Sequence, residues 1–142
     1  MITKDIHLSR QKIESSKRKL AEFKNGQLGA SFLDAFPLVR GHTLVIPKNH
    51  YTKVQDMSES DNKDIFETVR IISGKLESIS PSALIAIHNG KESGQEIPHV
   101  HVHIIPRLSS DGAGPVHNMF SKRPSLDEGE FENIMKIIQN KK

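Results

Sequence analysis

The run His99-Val100-His101-Val102-His103-Ile104-Ile105, closed by Pro106, constrains this chain more than any other stretch. Successive side chains of a strand point to opposite faces, so the spacing predicts a strand over His99 to Ile105 with three imidazoles on one face and an apolar stripe on the other. Three histidines on a merely solvated face would be a chance cluster beside a tightly patterned apolar side, which makes the run the first candidate for chemistry.

The rest of the pattern is α+β. Ile6, Ile13 and Leu20 recur every seven residues and predict a basic helix from about Asp5 to Arg18. Leu20 to Lys24 and Gln27 to Asp34 flank Asn25-Gly26, a type I′ hairpin signal. Thr43 to Ile46 reads as a short buried strand stopped by Pro47. Ser58, followed by Ile65, Phe66, Val69, Ile72, Leu76 and Ile79, predicts a long helix over about Glu59 to Ser78. Ser80-Pro81-Ser82 ends it, Ala83 to Ile87 reads as a buried strand, and Asn89 to Gln95 is a polar loop. Glycine, serine and proline dominate from Leu108 to Pro124, and Asp127 to Asn140 predicts a closing helix. The expectation is one domain over 1–142: a basic N-terminal helix (1–18), a core (19–107) with a mostly antiparallel sheet, and a loop with a C-terminal helix (108–142).

Composition narrows the partners. The net charge of +3 is concentrated at the start, where Met1 to Lys24 holds seven Lys/Arg against three Asp/Glu, and the remaining residues hold thirteen against fourteen. Only that segment could face a polyanion, which argues against a nucleic-acid partner. No apolar run approaches the ~20 residues of a spanning helix, so no membrane role is expected. The first residues lack a stretch of signal-peptide type, and a cytoplasmic protein is the default expectation.

Imidazole is a common zinc ligand, but with Zn–N near ~2.1 Å two ligand nitrogens lie within about 4.2 Å, whereas His99 and His103 in a strand have Cα atoms about 13 Å apart. The chain has no cysteine, and no metal or other cofactor is expected. A row of imidazoles suits phosphate chemistry instead: a neutral histidine nitrogen can attack phosphorus, and its neighbours can hold the oxygens on which charge builds. Gly90 and Gly94 allow close backbone approach in the loop beside it.

These residues resemble the histidine triad (HIT) family of nucleotide hydrolases and transferases. His99 to Ile105 meets the pattern His-φ-His-φ-His-φ-φ, with φ apolar; Asn89-Gly90 with Gly94-Gln95, and Phe32-Leu33-Asp34 with Gly41-His42-Thr43-Leu44-Val45-Ile46-Pro47, resemble the other two signatures. The resemblance implies an antiparallel HIT-like sheet with a long central helix, and a homodimer. It implies His101 as the nucleophile, with His99, His103 and His42 completing the catalytic set. For a purine nucleotide it implies Asp34 against the ribose, Phe32 and Leu44 around the base, and His88, Asn89, Gly94, Gln95 and Glu96 near the phosphate. The implied reaction is hydrolysis or transfer at the α-phosphate of phosphoramidates, acyl adenylates or dinucleoside polyphosphates through a nucleotidyl-histidine. The alternative is a binding, sensing or scaffold protein of the same fold without turnover.

Four positions depart from the family pattern. His88 stands where an amide is usual, Glu96 where several members carry Ser or Thr, and Arg40 where proline often precedes the glycine. Many relatives also have a Cys-x-x-Cys that joins a downstream histidine and the first triad histidine on structural zinc; here His50 and His99 remain without any cysteine.

Overall fold

A computed structural model describes residues 19–21 and 29–141, with side chains described from residue 29 onward. The expected helix over Asp5 to Arg18 and the Asn25-Gly26 turn lie outside the described residues. Strand β1 (Lys19–Ala21) nevertheless pairs antiparallel with β2 (Ala30–Leu33), as the hairpin pattern requires. With β3 (Thr43–Ile46), β4 (Ala83–Ala86) and β5 (Val102–Pro106) they form one five-stranded sheet in the order β1-β2-β3-β5-β4, every neighbouring pair antiparallel. The described residues fall into two compact units that divide between Ser110 and Asp111.

The long helix α1 (Glu59–Leu76) starts where expected. Ser58 is its N-cap and accepts a hydrogen bond from the Asp61 amide, while Glu59 and Asp61 place negative charge at the positive end of the helix dipole. It ends two residues before the predicted Ser78, in a turn in which the Ile79 and Ser80 amides donate to the Leu76 carbonyl. Its buried stripe, Ile65, Val69, Ile72 and Leu76, packs against Val45, Val100, Val102 and Ile104. Each such fully buried Val or Ile contributes roughly 1.5–3 kcal/mol. The apolar side of the sheet is thereby closed, and the other side is left for the histidines.

The strand expected over Ala83 to Ile87 is not buried. Ala83 is exposed and Ile85 is 47% exposed, because β4 is the last strand of the described sheet and α1 packs on β2, β3 and β5. In the second unit, helix α2 (Glu128–Asn140) starts at a capping box: the Asp127 carboxylate accepts from the Glu130 amide, and the Glu130 carboxylate accepts from the Asp127 amide.

The segment after β3 is tied down by charge. Oδ2 of Asp61, on a buried residue of the first turn of α1, accepts 2.7 Å from the Tyr51 hydroxyl and 2.8 Å from the Asn49 amide. These hydrogen bonds hold its carboxyl below the usual carboxylate value of 3.8. A carboxylate with a depressed folded-state pKa stabilises the fold above the unfolded value and loses that contribution as pH falls through the folded one. Asp61→Ala should therefore cost about 1–3 kcal/mol in denaturant unfolding at neutral pH, with the difference from wild type shrinking below pH 3.8; a constant difference down to pH 2 would show that the carboxylate is not the stabilising species.

Candidate active site

One cross-strand row builds the site. Phe32 on β2 lies opposite Leu44 on β3, Leu44 opposite His103 on β5, and His103 opposite Ala86 on β4. Directly opposed residues share a sheet face, so Phe32, Leu44, His103 and Ala86 point the same way, away from α1. Val45 and Val102, also paired, point into the core. The alternation read from the sequence therefore holds from Val102 onward.

The regular strand is shorter than expected, although Val100, buried with Val102 and Ile104, keeps the apolar side of the alternation one step further back. The strand begins at Val102 rather than His99, so His99 and His101 precede it. Val100 donates its amide to the Tyr51 carbonyl across a loop, and His99 donates to the Ile97 carbonyl two residues back, a tight local turn that ends the regular pleat. The expected row of three imidazoles on one strand is thus corrected to one on β5 and two on the segment that leads into it, His99 in a bend and His101 directly before the strand. The ring of His101 still lies 4.9 Å from that of His103. His99 is buried, and its ring stacks 4.8 Å from His50.

Hydrogen bonds assign the protons. Nδ1 of His101 lies 2.8 Å from the His99 carbonyl oxygen, which can only accept, so Nδ1 carries the hydrogen and in the neutral ring the lone pair is on Nε2. Nδ1 of His42 lies 3.1 Å from the Leu38 amide, which can only donate, so in the neutral ring the proton is on Nε2. That Nε2–H donates across 2.9 Å to Nδ1 of His103, whose own proton is then on Nε2. Nε2 of His103 is buried without a protein partner among the described residues. The site therefore presents a lone pair on His101 and an N–H on His103 side by side.

Burial pushes the His42 ring below its ordinary value of 6.5, against the attraction of Asp34. His103 is pushed down to about 4, chiefly by burial and then by His101, His42 and His88, with Asp34 opposing. Both rings are neutral near pH 7.

The remaining expected residues sort into two groups. Asp34 borders the cluster: Oδ2 is 3.7 Å from His42 Nε2, and Oδ1 accepts from the Phe36 amide. The His88 ring meets His103 edge-on at 5.4 Å. Gly94, at φ 100°, packs on His88, where a Cβ would come 3.6 Å from Cδ2. The side chains of Asn89 and Gln95 are engaged by protein partners. Asn89 accepts from the Val54 amide and donates to Gln55, while Gln95 accepts from the Gly90 amide and donates to the Thr52 carbonyl. The Gly94 amide donates to the Lys91 carbonyl, and Glu96 is exposed on the same loop. The loop is thus a self-bonded element braced against residues 52–55, a partnership about forty residues apart that no local signal announces.

Gly41 sets the entry to β3. It turns at φ 88°, and a Cβ there would come 2.7 Å from Ile79 Cδ1, so glycine lets the chain pass the end of α1 and deliver His42 to the site.

Two groupings bear on a metal. Asp34, His42 and His103 bring three ligand-type atoms within 4.8 Å of one another. The His42 atom that faces the others is the protonated Nε2, so a proton stands where an ion would need a lone pair. His50 and His99 offer two nitrogens where structural zinc takes four ligands, and the one metal-type cluster found among the described residues includes neither. The residues present do not fit the zinc of the family.

The HIT domain family model matches residues 16–110, which hold the whole constellation. The chain belongs to the histidine triad family. It is 37% identical over 91 residues to the bis(5'-nucleosyl)-tetraphosphatase [asymmetrical] of Schizosaccharomyces pombe, covering 63% of this chain and 50% of that protein. It is 33% identical over 120 residues to the bifunctional bis(5'-adenosyl)-triphosphatase/adenylylsulfatase FHIT of Arabidopsis thaliana, covering 80% of this chain and 62% of that protein. The chain thus spans between half and two thirds of the length of these relatives. The crystal structure of the histidine triad nucleotide-binding protein from Candida albicans superposes with a TM-score of 0.76 at 25% identity over 94% of each chain. No helix among the described residues of this HIT protein is long and apolar enough to cross a membrane.

A histidine with a depressed folded-state pKa destabilises the fold as pH drops, because the unfolded chain takes up the proton first. The melting temperature of this HIT protein should fall as pH is lowered from 6.5 toward 4, the window between the two states of His103, and His103→Gln should make that decline shallower. An identical slope in the variant would mean that His103 titrates alike in the folded and unfolded chain.

Proposed function

We propose that the chain is a nucleotide hydrolase or transferase acting at the α-phosphate of purine nucleoside compounds through a nucleotidyl-histidine on His101. The observation that carries the reading is the 2.8 Å contact of His101 Nδ1 with the His99 carbonyl. It fixes the tautomer with a lone pair on Nε2, the form a nucleophile needs. His99 acts in this scheme through its backbone oxygen as well as its ring.

Attack by Nε2 forms a P–N bond and breaks the bond from phosphorus to the leaving group, which departs with the electron pair. Water then attacks the phosphorus, the P–N electron pair returns to Nε2, and the nucleotide is released with the water oxygen and a proton lost to solvent. The Nε2–H of His103, held in place through His42, donates to a non-bridging phosphate oxygen as charge builds there. His88 supplies a second donor from the β4 side. Asp34 accepts the ribose hydroxyls, and Phe32 and Leu44, which share the His103 face, cover the base. Asn89 and Gln95 act as braces that hold the loop carrying Gly94 and Glu96.

The relatives support this chemistry: one is a tetraphosphatase and another a triphosphatase/adenylylsulfatase by name. The edge of β4, the last strand of the sheet among the described residues, suits pairing with a second copy, and we assign the homodimer to it.

His101→Ala should lower kcat by at least ~10³-fold while adenosine monophosphate still binds within about threefold, since the change removes the covalent route but few ground-state contacts. Wild-type samples quenched in acid-free denaturant and read by mass spectrometry should carry a nucleotidyl adduct that the variant lacks. Retention of a tenth of wild-type turnover, or an adduct on the variant, would overturn the assignment.

A further inference from the structure

The loop after His88 and the segment at Thr52 and Lys53 enclose a cleft of about 740 Å³, lined by Lys53, Lys91, Glu92, Gly94 and Glu96 among others. That volume is within the range of about 300–1,000 Å³ that holds small ligands. The cleft shares a wall with the histidine cluster: Gly94 lines it and also packs on the His88 ring, which in turn meets His103.

Its electrostatics differ from those of a backbone cradle. The Gly90 amide donates to the Gln95 side chain, Ser93 and Gln95 donate to the Gly90 carbonyl, and Gly94 donates to Lys91. With these four amides committed inside the loop, side-chain cations add to what the loop can offer an anion in the cleft. Two ammonium groups are available. Lys53 lies beside the turn, with Nζ 3.9 Å from the point a Cβ on Gly90 would occupy, and Lys91 also lines the cleft. Neither pairs with a carboxylate of another described residue. Glu92 and Glu96 on the same lining oppose them.

We propose that this cleft is the leaving-group subsite and takes the distal phosphates of a dinucleoside polyphosphate, with Lys53 as the cation that selects them and Glu96 as the group that restrains their binding. The proposal rests on the hydrolase reading above and narrows its substrate class. As the His101 P–N bond forms, the bond to the bridging oxygen breaks, and its electron pair stays with the phosphate chain that leaves. An ammonium group beside that chain favours both its binding and the charge it gains. A phosphoramidate releases an amine and puts no phosphate there.

The test uses the full chain and two substrates, diadenosine tetraphosphate and adenosine 5'-phosphoramidate. Lys53→Gln should raise the ratio of the KM for the tetraphosphate to that for the phosphoramidate by about fivefold or more, the double Lys53→Gln/Lys91→Gln variant should raise it further, and Glu96→Gln should lower it by roughly twofold. An unchanged ratio in the double variant would overturn the subsite. If wild type turns over neither substrate, the hydrolase reading fails on its own. The cleft is then decided by calorimetry in a His101→Ala background: the advantage of the tetraphosphate over adenosine monophosphate should fall on Lys53→Gln, and equal binding of the two nucleotides before that change, or an unaltered advantage after it, would sink the proposal.

Discussion

The site depends on the register between β3 and β5. Val45 lies opposite Val102, both fully buried against α1, and the next pair along, Leu44 with His103, points the other way. A slip of one residue would send His103 into the core and Val102 to the surface. The apolar pairs make such a slip costly, so the core residues choose the face on which the histidine cluster lies. Phe32 and Ala86 fall on that face for the same reason, each being one step further along the row.

On this frame two short hydrogen-bond relays run with opposite polarity. One begins at a donor, the Leu38 amide, and passes through His42 to leave an N–H on His103. The other ends at an acceptor, the His99 carbonyl, and leaves a lone pair on His101. Two identical side chains 4.9 Å apart thereby acquire different chemical characters, one directly from a backbone carbonyl and the other from a backbone amide through His42. Burial reinforces the difference by keeping His103 neutral, so it serves as a donor without becoming a fixed cation.

Much of this was legible in the chain. The apolar stripe of α1 and the short β3 between Gly41 and Pro47 follow from local pattern, and β5 follows from Val102 onward. The strand stops short of His99 because the His99 amide donates to the Ile97 carbonyl in a local turn and the Val100 amide donates to the distant Tyr51 carbonyl, which alternation cannot register. β4 read as buried because its residues are apolar, but burial depends on what lies across the sheet, and α1 does not extend that far. Asn89 and Gln95 had the composition of ligand-facing amides. Their partners at 52–55 are distant in sequence, so whether they contact a ligand or the protein was decided by the fold.

The carboxylate of Asp61 also links distant parts of the molecule. It sits in the first turn of α1, yet through Tyr51 and Asn49 it holds the strand-exit segment that continues into Thr52 and Lys53. The backbone of that same segment accepts the Val100 amide at Tyr51 and the Gln95 side chain at Thr52. Fraying at the start of the helix and loosening of the cleft wall are therefore one local opening event rather than two. A helix end on the far side of the sheet thus contributes to how long the wall beside the histidines stays closed.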